Sequence, residues 1–271
     1  MVMLLRPFAF LALLAAPALV AAGPTPRAPT AKWTVNFADA QCLAMRNYGT
    51  AEDPVRLILK SPAIGDVVQV AISRKGHAAD PTQSSAMVAL DGGAPFSTSM
   101  LAYTPAGGQL RIYSINMPAA QFALIRHASD LRVRGDGLDE RFSLSQMEPL
   151  LKIVDDCVAD LRRVFNVTGG APDDPSLVRT RSKASLASYF TDKDYPAIAL
   201  DLHQGGVVKF AMLIDENGRV ADCTIIETSG VAALDTQACA LLRLRARFHP
   251  AARGGQPTKD AVTGTITWQT E

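Results

Sequence analysis

The sequence predicts an α+β protein: a separate α+β domain of mainly antiparallel strands closed by a long helix, followed by an α-β-β-α-β module with a three-stranded antiparallel sheet. Three observations predict it. Short β-branched and aromatic runs separated by Gly- and Pro-rich turns fill the first half. One long stretch then has apolar residues at close to a 3.6-residue period. Finally an Asn-Gly hairpin turn stands between a helical run and a second helical run with a last alternating strand. The composition supports a packed interior, with 48% hydrophobic and 20% charged residues over 271 positions. The formal net charge of +1 argues against nucleic acid as a partner, because displacing phosphate counterions takes a basic surface.

Taken in order, the chain opens on "MVMLLRPFAFLALLAAPALVAAG". Arg6 precedes an apolar run from Pro7 to Val20 that ends in small residues, the layout of a secretory signal peptide (1–22) cleaved after Ala22. The run is short of the roughly 20 residues a spanning helix needs, and Pro17 interrupts it. The expected location is therefore the periplasm, the alternative being an inner-membrane anchor with the rest facing the periplasm. Residues 23–31 are Pro-rich and read as a disordered lead-in. From Trp33, "WTVNF", "VRLILK", "VVQVAIS", "AMVAL" and "LRIYSIN" read as strands, and "RVRGDGLDERFSL" as two more around a Gly turn. In "SLSQMEPLLKIVDDCVADLRRVF", Leu150, Ile153, Val154, Cys157, Val158, Leu161 and Val164 make an apolar helical stripe, with Ser143 or Ser145 as the expected cap. These elements form a domain over 32–167. Residues 168–187 carry Gly, Pro, Asp and Ser without apolar period and read as a linker with some local order.

The module spans 188–271. Tyr195-Pro196 starts a helix that Gly205-Gly206 ends. "VVKFAMLID" and "VADCTIIETS" pair across "ENGR", and "VAALDTQACALLRLRARF" is the second helix. It stops at "FHPA" because proline lacks the N–H and clashes with the preceding turn. "AVTGTITWQ", residues Ala261 to Gln269, is the last strand, with Val262, Gly264, Ile266 and Trp268 on one face.

The four cysteines suit an exported chain with two disulfides, for which three connectivities exist. Cys157 lies on the apolar stripe of the long helix and Cys42 follows the first strand, so a helix packed on the sheet brings them together. Cys223, in the return strand, meets Cys239 if the second helix covers its sheet; closing a loop of that size contributes on the order of 3 kcal/mol. No cysteine pair has structural-zinc spacing, and none of His77, His127, His203 and His249 has a metal-ligand spacing, so no metal and no cofactor is expected. No catalytic residue is assigned: the chain has no Gly-x-Ser-x-Gly elbow or phosphate loop, and Ser229 with Asp235 reads as a helix N-terminus. Arg243, Arg245 and Arg247 lie at a helix end, where cations are favoured. A deep polar pocket in the first domain would argue for an enzyme.

The last eighty or so residues resemble the C-terminal domain of the TonB energy transducers. The resemblance rests on Tyr195-Pro196, on "GGVVKFAMLIDENGRVADCTIIETSG" from Gly205 to Gly230, on "ALDTQA" from Ala233 to Ala238, on "RARFHPA" from Arg245 to Ala251 and on "GQP" from Gly255 to Pro257, in that order. It implies binding of an outer-membrane TonB-dependent receptor in the context of transmembrane transport, by addition of an extended segment to the exposed sheet edge. The implied contacts are Tyr195, Pro196, Val262, Thr263, Gly264, Thr265, Ile266, Thr267 and Trp268. The same edge can instead pair a second copy, giving a homodimer or a soluble periplasmic scaffold without energy transduction. The transducers have an uncleaved membrane helix and a long Pro-rich spacer; a cleavable signal and a folded domain stand here instead, which weighs against an inner-membrane motor complex.

Overall fold

The computed structural model describes residues 24–77, 79–105, 108–167 and 174–270; the expected signal peptide lies outside them. The first strands are β1 (Thr34–Ala38), β2 (Gln41–Gly49), β3 (Pro54–Ser61), β4 (Val67–Lys75), β5 (Thr82–Leu90), β6 (Phe96–Tyr103) and β7 (Leu110–Pro118). A short helix α1 (Ala119–Phe122) then leads to β8 (Asp130–Gly135), β9 (Leu138–Ser143) and the long helix α2 (Met147–Val164). All nine strands join one sheet in the order β1-β2-β3-β4-β7-β6-β5-β8-β9, with antiparallel pairing throughout. Alternate residues point inward, as the pleat requires: Val55, Leu57 and Leu59 on β3, Val68, Val70 and Ile72 on β4.

The Pro-rich lead-in, expected to lack order, is ordered from residue 24 and closes this sheet into a barrel. Arg27 bridges Phe142 on β9, and Pro29 bridges Tyr48 on β2. The Arg27 guanidinium is held by Glu140 at 2.5 Å and Asp53 at 2.8 Å, a fixed fork that composition alone does not reveal. Helix α2 covers one side, with Met147, Leu150, Leu151 and Val154 in the barrel core. Neither expected serine caps it. Gln146 takes the N-cap position at φ 61°, because Ser145 accepts from the Arg46 guanidinium through its hydroxyl and carbonyl, while Ser143 is bound into β9. Ile153 and Val164, placed on the stripe by periodicity, are exposed.

The C-terminal part contains β10 (Leu177–Val178), β11 (Arg181–Ser182), α3 (Ala197–Asp201), β12 (Gly206–Ile214), β13 (Val220–Glu227) and α4 (Ala232–Arg245). β14 (Phe248–His249), β15 (Ala251–Arg253), β16 (Gln256–Thr258) and β17 (Asp260–Trp268) follow. Its main sheet is antiparallel in the order β13-β12-β17. The stretch read as a linker supplies β10 and β11, which pair with β15 and β14. Helix α4 stops at Arg245, three residues before Phe248, because Ala246 is already extended. Phe248 turns into the core, 1% exposed, and its N–H donates to the Gly218 carbonyl. Gly218 sits at φ 74°, and a Cβ there would stand 2.1 Å from the Phe248 carbonyl oxygen, so the hairpin turn requires glycine.

Helix α4 is apolar on more than one face because it lies between two sheets. Leu234, Ala238 and Leu242 pack with Phe210 and Met212 of β12, and the same cluster takes in Leu101 of β6. A further cluster joins Cys42, Cys157, Leu161 and Phe165 to Leu213 of β12. The barrel and the C-terminal sheet thus share buried side chains, and the module is not a detached bead. Both cystines are present, Cys42–Cys157 tying β2 to α2 and Cys223–Cys239 tying β13 to α4.

Candidate functional site: the edges of the C-terminal sheet

Strand β17 pairs with β12 from Gly206↔Trp268 to Ile214↔Asp260 and, among the described residues, with no other strand. Its inward residues are packed: Ile266 and Trp268 are buried, and Val262 lies against the core. Gly264 is there for space, since a Cβ would stand 2.8 Å from the Phe210 ring and from Leu186. Thr263, Thr265 and Thr267 face outward and are exposed. β-Branched hydroxyl residues favour the extended backbone and keep the outer surface wetted. At the start of the strand, Arg179 and Thr180 bind Asp260, and Arg179 also reaches the Ala261 carbonyl. Beyond that, the outer edge of β17 has no strand neighbour among the described residues.

The opposite edge, β13, is covered by the barrel. A Cβ on Gly65, in the β3–β4 turn, would lie 3.1 Å from Ile226. Beside it Asp222, 3% exposed, accepts from Lys60 Nζ at 2.7 Å, Gln41 Nε2 at 3.0 Å and Arg243 at 2.9 Å. Burial lowers the Lys60 pKa, and the Asp222 carboxylate opposes that. This cluster takes its members from β2, β3, β13 and α4, so it fastens the barrel to the sheet.

Tyr195 and Pro196 lie at the far end of β17. The Tyr195 hydroxyl donates to the Gln204 carbonyl at 2.6 Å and its ring stands edge-on to Trp268 at 5.3 Å, with Phe190 edge-on at 5.6 Å. Pro196 is the N-cap of α3. Just before them Asp194 receives a two-pronged bond from Arg245 at 2.6 and 2.7 Å, and closes a capping box with Thr191. Arg245, then Thr191, hold the Asp194 carboxyl well below the usual carboxylate range. A depressed carboxylate pKa stabilises the fold above the unfolded value, and the contribution is lost as pH falls through the folded one. Acid titration of Arg245→Ala, followed by Tyr195 and Trp268 fluorescence, is expected to lack the part of the wild-type loss that lies below about pH 4. An unchanged acid profile would show that this pair does not hold the Tyr195 segment. Two of the three arginines at the end of α4 are therefore engaged: Arg243 and Arg245 serve Asp222 and Asp194.

Between β5, β6, β7 and the start of α4 lies a polar cleft of about 530 Å³. Sequence reasoning missed it, because its walls come from both parts of the chain. Helix α4 has no cap of its own; the Ala232 and Ala233 N–H groups donate to Ser99 Oγ at 3.0 Å and Gln83 Oε1 at 2.8 Å on the barrel. Asp235, fully buried, accepts from the Thr228 hydroxyl, from the Ser229 N–H and hydroxyl, and from Asn116. Burial pushes its carboxyl up against those bonds. It is a buried lock on the 228–230 turn rather than a residue held only by the helix dipole. Among the described residues no group of three or more potential ligands is placed to hold a metal ion, and no helix is long and apolar enough to cross a membrane.

One covered and one open edge make this sheet a module able to accept a further strand on one side. Residues 191–270 match the family model described as the Gram-negative bacterial TonB protein C-terminal. The match covers well under half of the chain and leaves the barrel outside it. Among curated proteins none matches the chain.

Proposed function

We propose that this is an exported protein of the cell envelope, located in the periplasm, whose β17 edge binds an extended segment of an outer-membrane TonB-dependent receptor during transmembrane transport. The observation that supports this reading is the asymmetry of the C-terminal sheet: β13 is covered by the barrel, and β17 pairs only with β12 among the described residues. An added strand satisfies unpaired backbone groups along Val262 to Trp268, while Thr263, Thr265 and Thr267 offer side-chain contacts. Tyr195, whose ring packs on Trp268, marks the end of that edge, and Pro196 follows it in the chain as a further candidate contact. No chemistry is assigned to the protein and no inner-membrane motor enters the proposal. The boundaries 32–167 for the barrel with its helix and 188–271 for the module belong to the same reading.

The test is a titration of the isotope-labelled protein with a synthetic peptide copying the periplasm-facing N-terminal segment of a TonB-dependent receptor. Saturable amide shifts confined to residues 261–268 and their β12 partners are expected, with affinity in the micromolar-to-millimolar range typical of small interfaces, about 4 to 8 kcal/mol. Shifts that leave β17 untouched overturn the reading. Concentration-dependent protection of β17 without peptide would instead establish the homodimer or scaffold.

A further inference from the structure

We infer that the cleft between the barrel and the start of α4 is a binding site for a neutral, hydroxyl-rich ligand of the saccharide class. The cleft arises from a fork in the sheet. Strands β5 and β6 stay paired out to Val88↔Phe96, whereas β6 and β7 are paired only from Met100↔Ile115 to Tyr103↔Ile112. Below Met100 the two strands part, with the Thr98 hydroxyl donating to the Asn116 carbonyl across the fork, and beside it the cleft opens between β5, β6, β7 and the 228–235 segment with a volume of about 530 Å³, within the range of small-molecule sites.

The wall chemistry selects the ligand. Ser85 and Ser97 present hydroxyls, groups that both donate and accept, beside amides that are partly engaged within the wall: Gln83 Nε2 donates to Gln204 Oε1 at 2.6 Å and Asn116 Nδ2 to Asp235 at 3.3 Å. No Lys, Arg or His is among the described lining residues, so an anion finds no counter-charge. The single carboxylate, Asp235, already accepts four hydrogen bonds and is fully buried, so a cation finds no open ligand. Ser85 and Ser97 are exposed on this wall, and their hydroxyls are not the ones that fasten α4, a task carried by Ser99 and Gln83. Gln121, on the same lining, keeps its Oε1 buried and without a hydrogen-bond partner among the described residues. A peptide backbone takes its bonds from a strand edge at regular spacing; clustered hydroxyls and amides at varied angles suit ring hydroxyls and acetamido groups better.

The experiment uses the full protein from a periplasmic fraction and two probes of equal size, neutral triacetylchitotriose and anionic trigalacturonate. Titration of the isotope-labelled protein with the neutral trimer is expected to move the Ser85, Ser97 and Gln204 amides saturably. Ser85→Ala/Ser97→Ala, which spares the residues capping α4, is expected to bind about tenfold more weakly at an unchanged thermal midpoint, the effect of two lost hydrogen bonds. Should the double variant melt early, Ser97→Ala alone is compared at about threefold. The anionic trimer is expected to bind at least about tenfold more weakly than the neutral one. No saturation by about 10 mM neutral trimer, equal binding by the anion, or unchanged affinity in the serine variants overturns the proposal. None of these readouts involves β17, so either site stands or falls without the other.

Discussion

Replacing Cys42 and Cys157 together by alanine is expected to lower the stability of the oxidised protein by about 4–5 kcal/mol. The bridge closes a loop of 115 residues, almost the whole barrel with its helix, whereas Cys223–Cys239 closes one of 16. Loop-closure entropy grows with the logarithm of loop length, so the longer loop contributes more, about 4.7 against about 3 kcal/mol. Both half-cystines are buried, Cys42 fully, in the cluster that also holds Leu161, Phe165 and Leu213. The loss is read as a lower denaturant midpoint at constant slope. A loss under about 1 kcal/mol would mean that packing alone restrains α2 in the unfolded as well as the folded chain.

Asp222→Ala is expected to cost about 3–5 kcal/mol, the effect of leaving one member of a buried ion pair uncompensated. Lys60 is the member left behind, with 11% of its side chain exposed and Asp222 as its carboxylate partner at 2.7 Å. The sign with pH is fixed by the Lys60 shift: a lowered lysine pKa in the folded state means the unfolded chain binds more protons, so stability rises with pH through that interval. The Asp222→Ala deficit should therefore shrink on the alkaline side. Lys60→Met in the same background is expected to recover most of the loss, because no buried ammonium then remains. If the double variant stays as unstable as the single one, the loss comes from Arg243 and Gln41 rather than from the buried charge.

Much of the architecture is written in local pattern. The Asn-Gly turn, the proline after Phe248 and the alternation of Val262, Gly264, Ile266 and Trp268 all act within a few residues, and mixed α and β structure follows from them. Two strands of the barrel escaped that logic for physical reasons. In β2 the inward position between Ala44 and Tyr48 is Arg46, a buried guanidinium held by Ala31 and Ser145, which breaks the apolar alternation. In β6 the stretch "FSTSM" reads as a polar loop because its outer face lines the cleft and caps α4. The closing of the barrel by Arg27 and Pro29 was illegible for another reason: Phe142, the strand partner of Arg27, lies 142 − 27 = 115 residues away, and no spacing rule connects them. The same holds for Asp222 and Asp235, whose environments are assembled from both halves of the chain.

The sheet also has a mechanical aspect. Antiparallel ladder bonds run perpendicular to the strands, so a pull along β17 loads its bonds to β12 side by side, in shear, rather than one after another. That ladder extends the full length from Gly206↔Trp268 to Ile214↔Asp260. Behind it stand β13, stapled covalently to α4, and the Asp222 cluster that passes tension on to β2 and β3. A pull on that edge would thus spread into the barrel through parallel connections, and a strand added there, as proposed, would be held by one ladder alone.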